Sequence, residues 1–458
     1  MAVAETEPDA SPAARKARRL RLPRGAISVA LIALLSLAAG VFLPRLIPMI
    51  GWSENWVKDI RISLFPHDPQ PVRHDMAVLA ITEETLGTLR YRSPIDRGFL
   101  AGLLDRLERA DVRAVVFDIL FDRPTEADKD ERLRQRLTSF PKPVVVVWAD
   151  PPKQAEPGVT VERAFTAVAI TEEQVEFMRR YVEGVQRGYA NLIRDGNDGA
   201  VRWINVTHRE AAPELQGWDA IRHAGHRLLA SVGLATETPQ KALGPGLPAA
   251  VVQALGLPVP EVDTLPLDYA VGPWDVDVKG PAPVIPTYEA HLAHVLPDSF
   301  FRGKVIFIGA DLPEADRYRT PFAAGLGVAR GLLPGVTIHA HAVAQLIDGR
   351  KLKEAGPAAE ALIIAITVLI GVLIAAYDLK VGTKLLLSAA ALLVIWIVLF
   401  SAYPLTGYLV PLISPTLGFG VAVIGISFYQ QRRYLEERTF IRGALSLYVP
   451  EGVVRQLE

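Results

Sequence analysis

Cysteine is absent from the 458 residues, which excludes disulfides, thiolate metal sites and a cysteine nucleophile. An excess of either charge is lacking too: 49 Lys and Arg stand against 50 Asp and Glu, a net charge of -1. A chain built mainly to grip nucleic acid carries a strong positive balance, so no nucleic-acid partner is expected. Also missing are a glycine-rich phosphate loop, a Gly-x-Ser-x-Gly elbow and a His-Glu-x-x-His helix, three patterns that announce catalysis. No catalytic residue, metal or cofactor is assigned.

Charge itself is locally absent. No charged residue occurs from Leu385 to Gln431, from Ala361 to Tyr377, or from Ala26 to Leu43 between Arg24 and Arg45. About 20 apolar residues cross a bilayer as a helix. The longest run exceeds one span and is broken at Pro404, Gly407, Pro411 and Pro415. Four transmembrane helices follow, at 25–44, 358–377, 385–403 and 409–429. A cleaved signal peptide competes for the first. Its apolar run is long for that role, and no small-x-small cleavage signal is evident before Pro44. The first span reads as a tether only. Mean hydropathy of +0.23 beside 22% charged residues fits such a mixture of lipid-facing and water-facing parts.

Lys and Arg fix the expected orientation. Arg15, Lys16, Arg18, Arg19, Arg21 and Arg24 precede the first span, Lys380 and Lys384 sit between the second and third, and Arg432, Arg433, Arg438 and Arg442 follow the fourth. The link Ser401 to Leu409 has none. These regions agree on a cytoplasmic basic tail at 1–24, an extracytoplasmic domain at 45–357, and a cytoplasmic helical segment at 430–458.

The domain at 45–357 reads as α/β with a mostly parallel sheet. Met76 to Ile81, Val112 to Ile119, Val144 to Trp148 and Lys304 to Gly309 are apolar runs of strand length. A helix over 96–109, N-capped by Asp96, carries Leu100, Leu103, Leu104 and Leu107 on one face. Further expectations are a strand at Gly199 to Thr207, an amphipathic helix at Trp218 to Val232 and a helix from about Ala340 to Ile347. The Pro- and Gly-rich stretch 237–286 reads as a surface excursion with a strand near Leu267 to Val271. Trp52 and Trp56, four residues apart, read as aromatic anchors at the membrane interface or as a packing face.

Acidic residues gather after the expected strands, where open α/β sheets bind ligands. Asp118, Asp122, Asp311 and Asp316, with Thr320, are therefore ligand-binding candidates, against the common alternative that Asp caps helices and closes turns. His339 and His341 straddle an expected strand-to-helix junction, and no further histidine spacing completes a metal site.

The region resembles the type-2 CHASE domain, a sensory module of bacterial cyclases, kinases and other signalling receptors. The resemblance rests on AVLAITEETL, SPIDRGFLAGLLDRL with its Pro-x-x-Arg start, AVVFDILFD, GYANLIRDGNDGAVRWI, GKVIFIGADLPEADRYRTPF and PGVTIHAHAVAQLIDG. Together these span roughly residues 50–350 in order. Tyr91, Arg92 and Ser93 stand where the family usually carries a tryptophan, and 151–180 matches poorly. SLYVPEGVVRQL, near the C-terminus, is similar to the linker before the catalytic domain of class III adenylate or guanylate cyclases.

The resemblance implies a multi-pass receptor of the bacterial inner (plasma) membrane. Its unknown extracytoplasmic ligand would be detected by the domain and the signal passed to a cyclase or other output that lies beyond Glu458 or on a partner. It also implies a homodimer. Pro411 and Pro415, where the fourth span is expected to bend, and Arg432, Arg433, Tyr448 and Pro450 are the expected transmission residues. The competing readings are a membrane scaffold that recruits a signalling protein, and an exported enzyme using Asp118, Asp122 and Asp316.

Overall fold

Four apolar runs, too short for helices and rich in β-branched residues, dictate the centre of the domain, because such runs are stable only when covered on both faces. A computed structural model describes residues 24–150, 170–210, 225–226, 228–230, 232–235, 240–313 and 316–446. The basic tail before residue 24, stretch 151–169, most of the helix expected at 218–232, and Tyr448 and Pro450 lie outside these residues.

The strands include β1 (Met76–Ile81), β2 (Ala114–Asp118), β3 (Val144–Trp148), β4 (Gln186–Tyr189), β5 (Ile193–Arg194), β6 (Val201–Asn205), β7 (Thr264–Pro266), β8 (Thr287–Glu289), β9 (Val305–Ala310), β10 (Arg317–Arg319) and β11 (Leu332–Pro334). Six of them form one sheet in the order β8-β1-β9-β2-β3-β4, and every neighbouring pair is parallel. The late strand β9 is inserted between β1 and β2, so Gly309 lies beside Asp118. The two strand ends that carry acidic loops are thereby made neighbours.

The helices before and around the sheet are α1 (Arg24–Leu46), α2 (Pro48–Leu64), α3 (Arg97–Arg109), α4 (Ala127–Ser139), α5 (Glu172–Tyr181), α6 (Leu247–Ala254) and α7 (Gly335–Asp348). One face of the sheet is covered by Leu100, Leu104 and Leu107 of α3 with Leu133 of α4 and Met178 of α5. Asp96 caps α3 as expected, accepting from the Gly98 and Phe99 N–H groups. The other face is covered by Leu247 and Val251 of α6 and by Val336 and Val343 of α7.

Three local expectations need correction. The stretch 237–286 is not merely a surface excursion, because α6 is an apolar helix of small side chains that fills the core. Its strand lies at Thr264–Pro266, antiparallel to β6, and not at 267–271. Helix α7 begins at Gly335, five residues earlier than expected, so both His339 and His341 lie inside it. Residues two apart on a helix point to opposite sides, and the two rings have different neighbours.

Among the described residues, four helices are long and apolar enough to cross a membrane: α1, α8 (Pro357–Ala376), α9 (Val381–Thr406) and α10 (Ile413–Ser446). Leu37 of α1, Ile364 and Val368 of α8 and Ala422 of α10 form one apolar cluster. Gly40 permits that approach, since a Cβ there would lie 2.7 Å from Ile364 Cγ2 and 2.9 Å from the Ser414 carbonyl. Small residues serve helix contacts in membranes this way. The first span is therefore more than a tether, because it packs on the last.

Helix α10 starts four residues later than the span expected at 409–429. Tyr408–Leu409 instead forms β13, paired in parallel with β12 (Lys353–Glu354). Proline disfavours helical backbone at the residue before it, and Pro411 holds Val410 out of the helix. Pro411 thus precedes α10 and Pro415 sits in its first turn, where a missing N–H costs nothing. Neither proline is placed to bend it.

Candidate sensory site and its path to the membrane

At the carboxyl edge of the sheet the structure brings Asp118 and Asp316 together. Asp118 ends β2, and Asp316 follows β9 in a left-handed conformation with φ of 57°. The Asp316 carbonyl accepts from Gly335 N–H at 3.0 Å. Its carboxylate covers the start of α7: a Cβ on Gly335 would lie 3.1 Å from Asp316 Oδ2. A side chain there would press on the carboxylate, whereas glycine lets the negative group rest at a helix N-terminus, where it is favoured.

Burial pushes the Asp118 carboxyl up to about 7. Burial and then the charge of Asp118 push Asp316 up to about 6. Tyr318 is held above its ordinary range by burial and by Asp316, while burial pushes His339 down to about 4. The pair therefore shares protons at neutral pH beside a neutral imidazole, an arrangement suited to holding a proton or a cationic group.

The other acidic candidates are used elsewhere. Asp311 pairs with Arg317, which also donates to the Leu312 and Leu332 carbonyls. Asp122 accepts from Arg123 at 3.0 Å and from Gln174 Nε2 at 2.7 Å, tying the β2 loop to α5. Thr320 is buried and donates through Oγ1 to the Gly331 carbonyl at 2.9 Å. These three brace loops.

The pH dependence of the pair has a definite sign. Above the ordinary aspartate value of 3.8 the unfolded chain releases protons that the native pair still holds up to about 6 and about 7. The stability contributed by the neutral pair is full below the unfolded value and is lost as pH rises through the folded ones. Asp118→Asn should match the wild-type melting temperature near pH 4 and exceed it increasingly towards about pH 8. Parallel melting curves across that range would mean that burial does not raise the Asp118 carboxyl.

The strongest connection between domain and spans is one that the sequence reading missed. Helix α2 presents two polar stripes. Asn55 and Asp59, four residues apart, face the β5–β6 hairpin: Asn55 Nδ2 donates to Asp195 Oδ2 at 2.9 Å. Arg202 of β6 binds Asp59 through Nε at 3.1 Å and Nη2 at 2.6 Å. The same guanidinium holds Asp198 at 2.6 Å and Asp195 at 3.2 Å. This gives the Asp-Gly-x-x-Arg segment a purpose, since Asp198 and Arg202 close a clasp on α2.

Glu54 and Arg61, seven residues apart, face the membrane helices. Buried Glu54 accepts from Leu412 N–H at 2.7 Å, Ser414 N–H at 2.9 Å and Ser414 Oγ at 2.9 Å. It supplies the capping acceptor for α10 from another helix. Arg61, with no exposed surface, donates to the Val410 carbonyl at 2.9 Å and the Leu399 carbonyl at 3.3 Å. The i, i+4 and i, i+7 spacing of these charges was the available signal. Trp52 and Trp56, stacked with centroids 6.4 Å apart, remain partly exposed.

At the far end of α10, Lys384 donates to Gln430 Oε1 at 2.7 Å, and Gln430 Nε2 donates to the Ala376 carbonyl at 3.0 Å. Arg432 lies over Phe428, and Arg433 pairs with Glu437 at 3.1 Å. Among the expected transmission residues, only these two arginines lie on the described part of α10 beyond its apolar core.

The model of one family, described as CHASE2 domain, matches residues 29–374. The match begins within α1 and ends within α8, so it takes in α2 and the whole α/β domain. Comparison with curated proteins and with solved structures gave no match.

Proposed function

The chain belongs to the CHASE2 domain family, and we propose that it is a membrane receptor whose α/β domain passes its state to α10 through α2. One observation carries the reading: α2 is gripped on one side by Arg202 of the domain and on the other caps the first turn of α10 through Glu54. These contacts support a path by which a displacement of the β5–β6 hairpin reaches α10. A stimulus that binds one arrangement more tightly shifts the population towards it. The Asp118–Asp316 pair, at the sheet edge where ligands bind in such folds, is the proposed point of entry.

The domain is proposed to face the outside of a bacterial plasma membrane, with both ends of the chain in the cytoplasm. The basic residues that flank the spans support this. The proposed output is a class III nucleotide cyclase working in a homodimer, on the similarity of SLYVPEGVVRQL to the linker before such domains. The full chain joined ahead of a cyclase catalytic domain, in cells lacking their own cyclase, tests this. Cyclic nucleotide levels should change when Glu54→Gln weakens the cap. Output equal to that of the catalytic domain alone, with or without Glu54→Gln, would overturn the reading.

A second reading, a scaffold that recruits a separate signalling protein, draws on the exposed Leu435, Phe440 and Ile441 of α10. It predicts capture of a soluble partner that substitutions at Phe440 and Ile441 abolish, with no cyclic nucleotide dependence.

A further inference from the structure

Where the base of the α/β domain meets the near end of α9, a cavity of about 600 Å³ opens. The domain contributes Asp268, Tyr269 and Arg350, the link after α2 contributes Asp68, and α9 and its end contribute Tyr403 and Gly407, with Lys351 and Lys353 alongside. Helix α9 ends at Thr406 and α8 begins at Pro357, so the cavity lies level with the ends of the spans. That is the depth of lipid headgroups, and exposed Tyr408 marks the same level.

Among the described residues, three charges around this space are unspent, those of Lys351, Lys353 and Asp68. Among the described residues neither Lys351 nor Lys353 meets a carboxylate; Lys353 lies only over the Tyr408 ring. Arg350 gives Nη1 to Asp268 at 2.7 Å and Nε to Asp348 at 3.2 Å. Its buried Nη2 has no partner. Asp68 accepts from Gln70 at 2.8 Å and from no cation. Lys351 and Lys353 on one side and Asp68 on the other line one cavity without pairing, and leave room for a group carrying both signs. The two exposed lysine ammoniums are the donors free to meet a phosphate oxygen, their natural complement.

We infer that this cavity holds a phosphoethanolamine group, its phosphate on Lys351 and Lys353 and its ammonium on Asp68. The membrane offers that group as a phospholipid headgroup, and the surrounding water as the free compound. Basic side chains beside membrane helices are a known means of holding the phosphate of a lipid headgroup. The inference is independent of whether the chain signals.

The test uses the full chain in nanodiscs of phosphatidylcholine doped with phosphatidylethanolamine, with retained lipid counted by native mass spectrometry. Phosphatidylethanolamine should be retained about tenfold over phosphatidylcholine, the scale of one charge-assisted hydrogen bond. Lys351→Gln with Lys353→Gln should abolish retention. Asp68→Asn should keep lipid but lose the preference, since a trimethylated headgroup has no N–H to donate. Titration with free phosphoethanolamine separates the sources: saturable binding in pure phosphatidylcholine discs that the lysine variant abolishes supports the site with a soluble ligand. All three side chains are exposed, so unchanged melting temperatures will confirm that the variants fold. Equal retention of both lipids in every variant, with no binding of the free compound, overturns the inference.

Discussion

Arg202→Ala will destabilise the junction between domain and membrane by about 3–5 kcal/mol, the cost of removing one partner from a buried ionic cluster. Arg202 is the guanidinium shared by Asp59, Asp195 and Asp198, whose side chains are 3%, 9% and 2% exposed. Without it three carboxylates remain close together and shielded from water, where like charges repel strongly. Thermal unfolding in detergent or lipid, followed by circular dichroism, reads the loss. A double-mutant cycle with Asp59→Ala isolates the contact with α2, because residues in one network are strongly non-additive. Additive losses would show that the Arg202–Asp59 contact does not hold the domain on α2.

Glu54→Ala will cost about 2–5 kcal/mol, because it strands the Leu412 and Ser414 N–H groups at the start of α10. Leu412 has no exposed surface and Ser414 has 1%, so water does not replace the acceptor. The carboxylate also favours the positive end of the helix dipole. Glu54→Gln keeps the shape and one acceptor, and should lose less than half as much stability. Hydrogen exchange at Leu412 and Ser414 is the specific readout, with faster exchange in both variants and the larger increase in Glu54→Ala. Unchanged exchange would mean that α10 is capped by something other than α2.

Much of the fold was legible because its signals are local. Met76–Ile81 and Val144–Trp148 are strands over the expected residues, since an uncharged β-branched run of that length has few alternatives. Asp96 caps α3 because a short acceptor before a leucine stripe is itself the signal for a helix start. Helix α6 was missed because its first six residues, Leu247 to Val252, are all apolar and all buried and so carry no amphipathic period. The start of α7 was missed because Gly335 weakens helix propensity, and only the seat it makes for Asp316 explains a glycine there.

The candidate site divides along the same line. That acidic residues follow the strands was visible in the sequence. Which of them meet was not, because the insertion of β9 between β1 and β2 is a matter of sheet order, and no local preference encodes it. That order joins Asp118 to Asp316, while short-range partners claim Asp311 and Asp122.

By itself the sequence determined that there are four helices fit to cross a membrane, and that the sheet would be buried on both faces. Both follow from composition and period, which are properties of short stretches of chain. Only the tertiary structure decided that α1 packs on α10, that α2 is clasped by Arg202, and that Glu54 caps a helix 358 residues further on. Contacts at such separation depend on where whole elements come to rest. Charges at helical spacing announce a polar face, and the partner of that face is chosen by the packing of everything else.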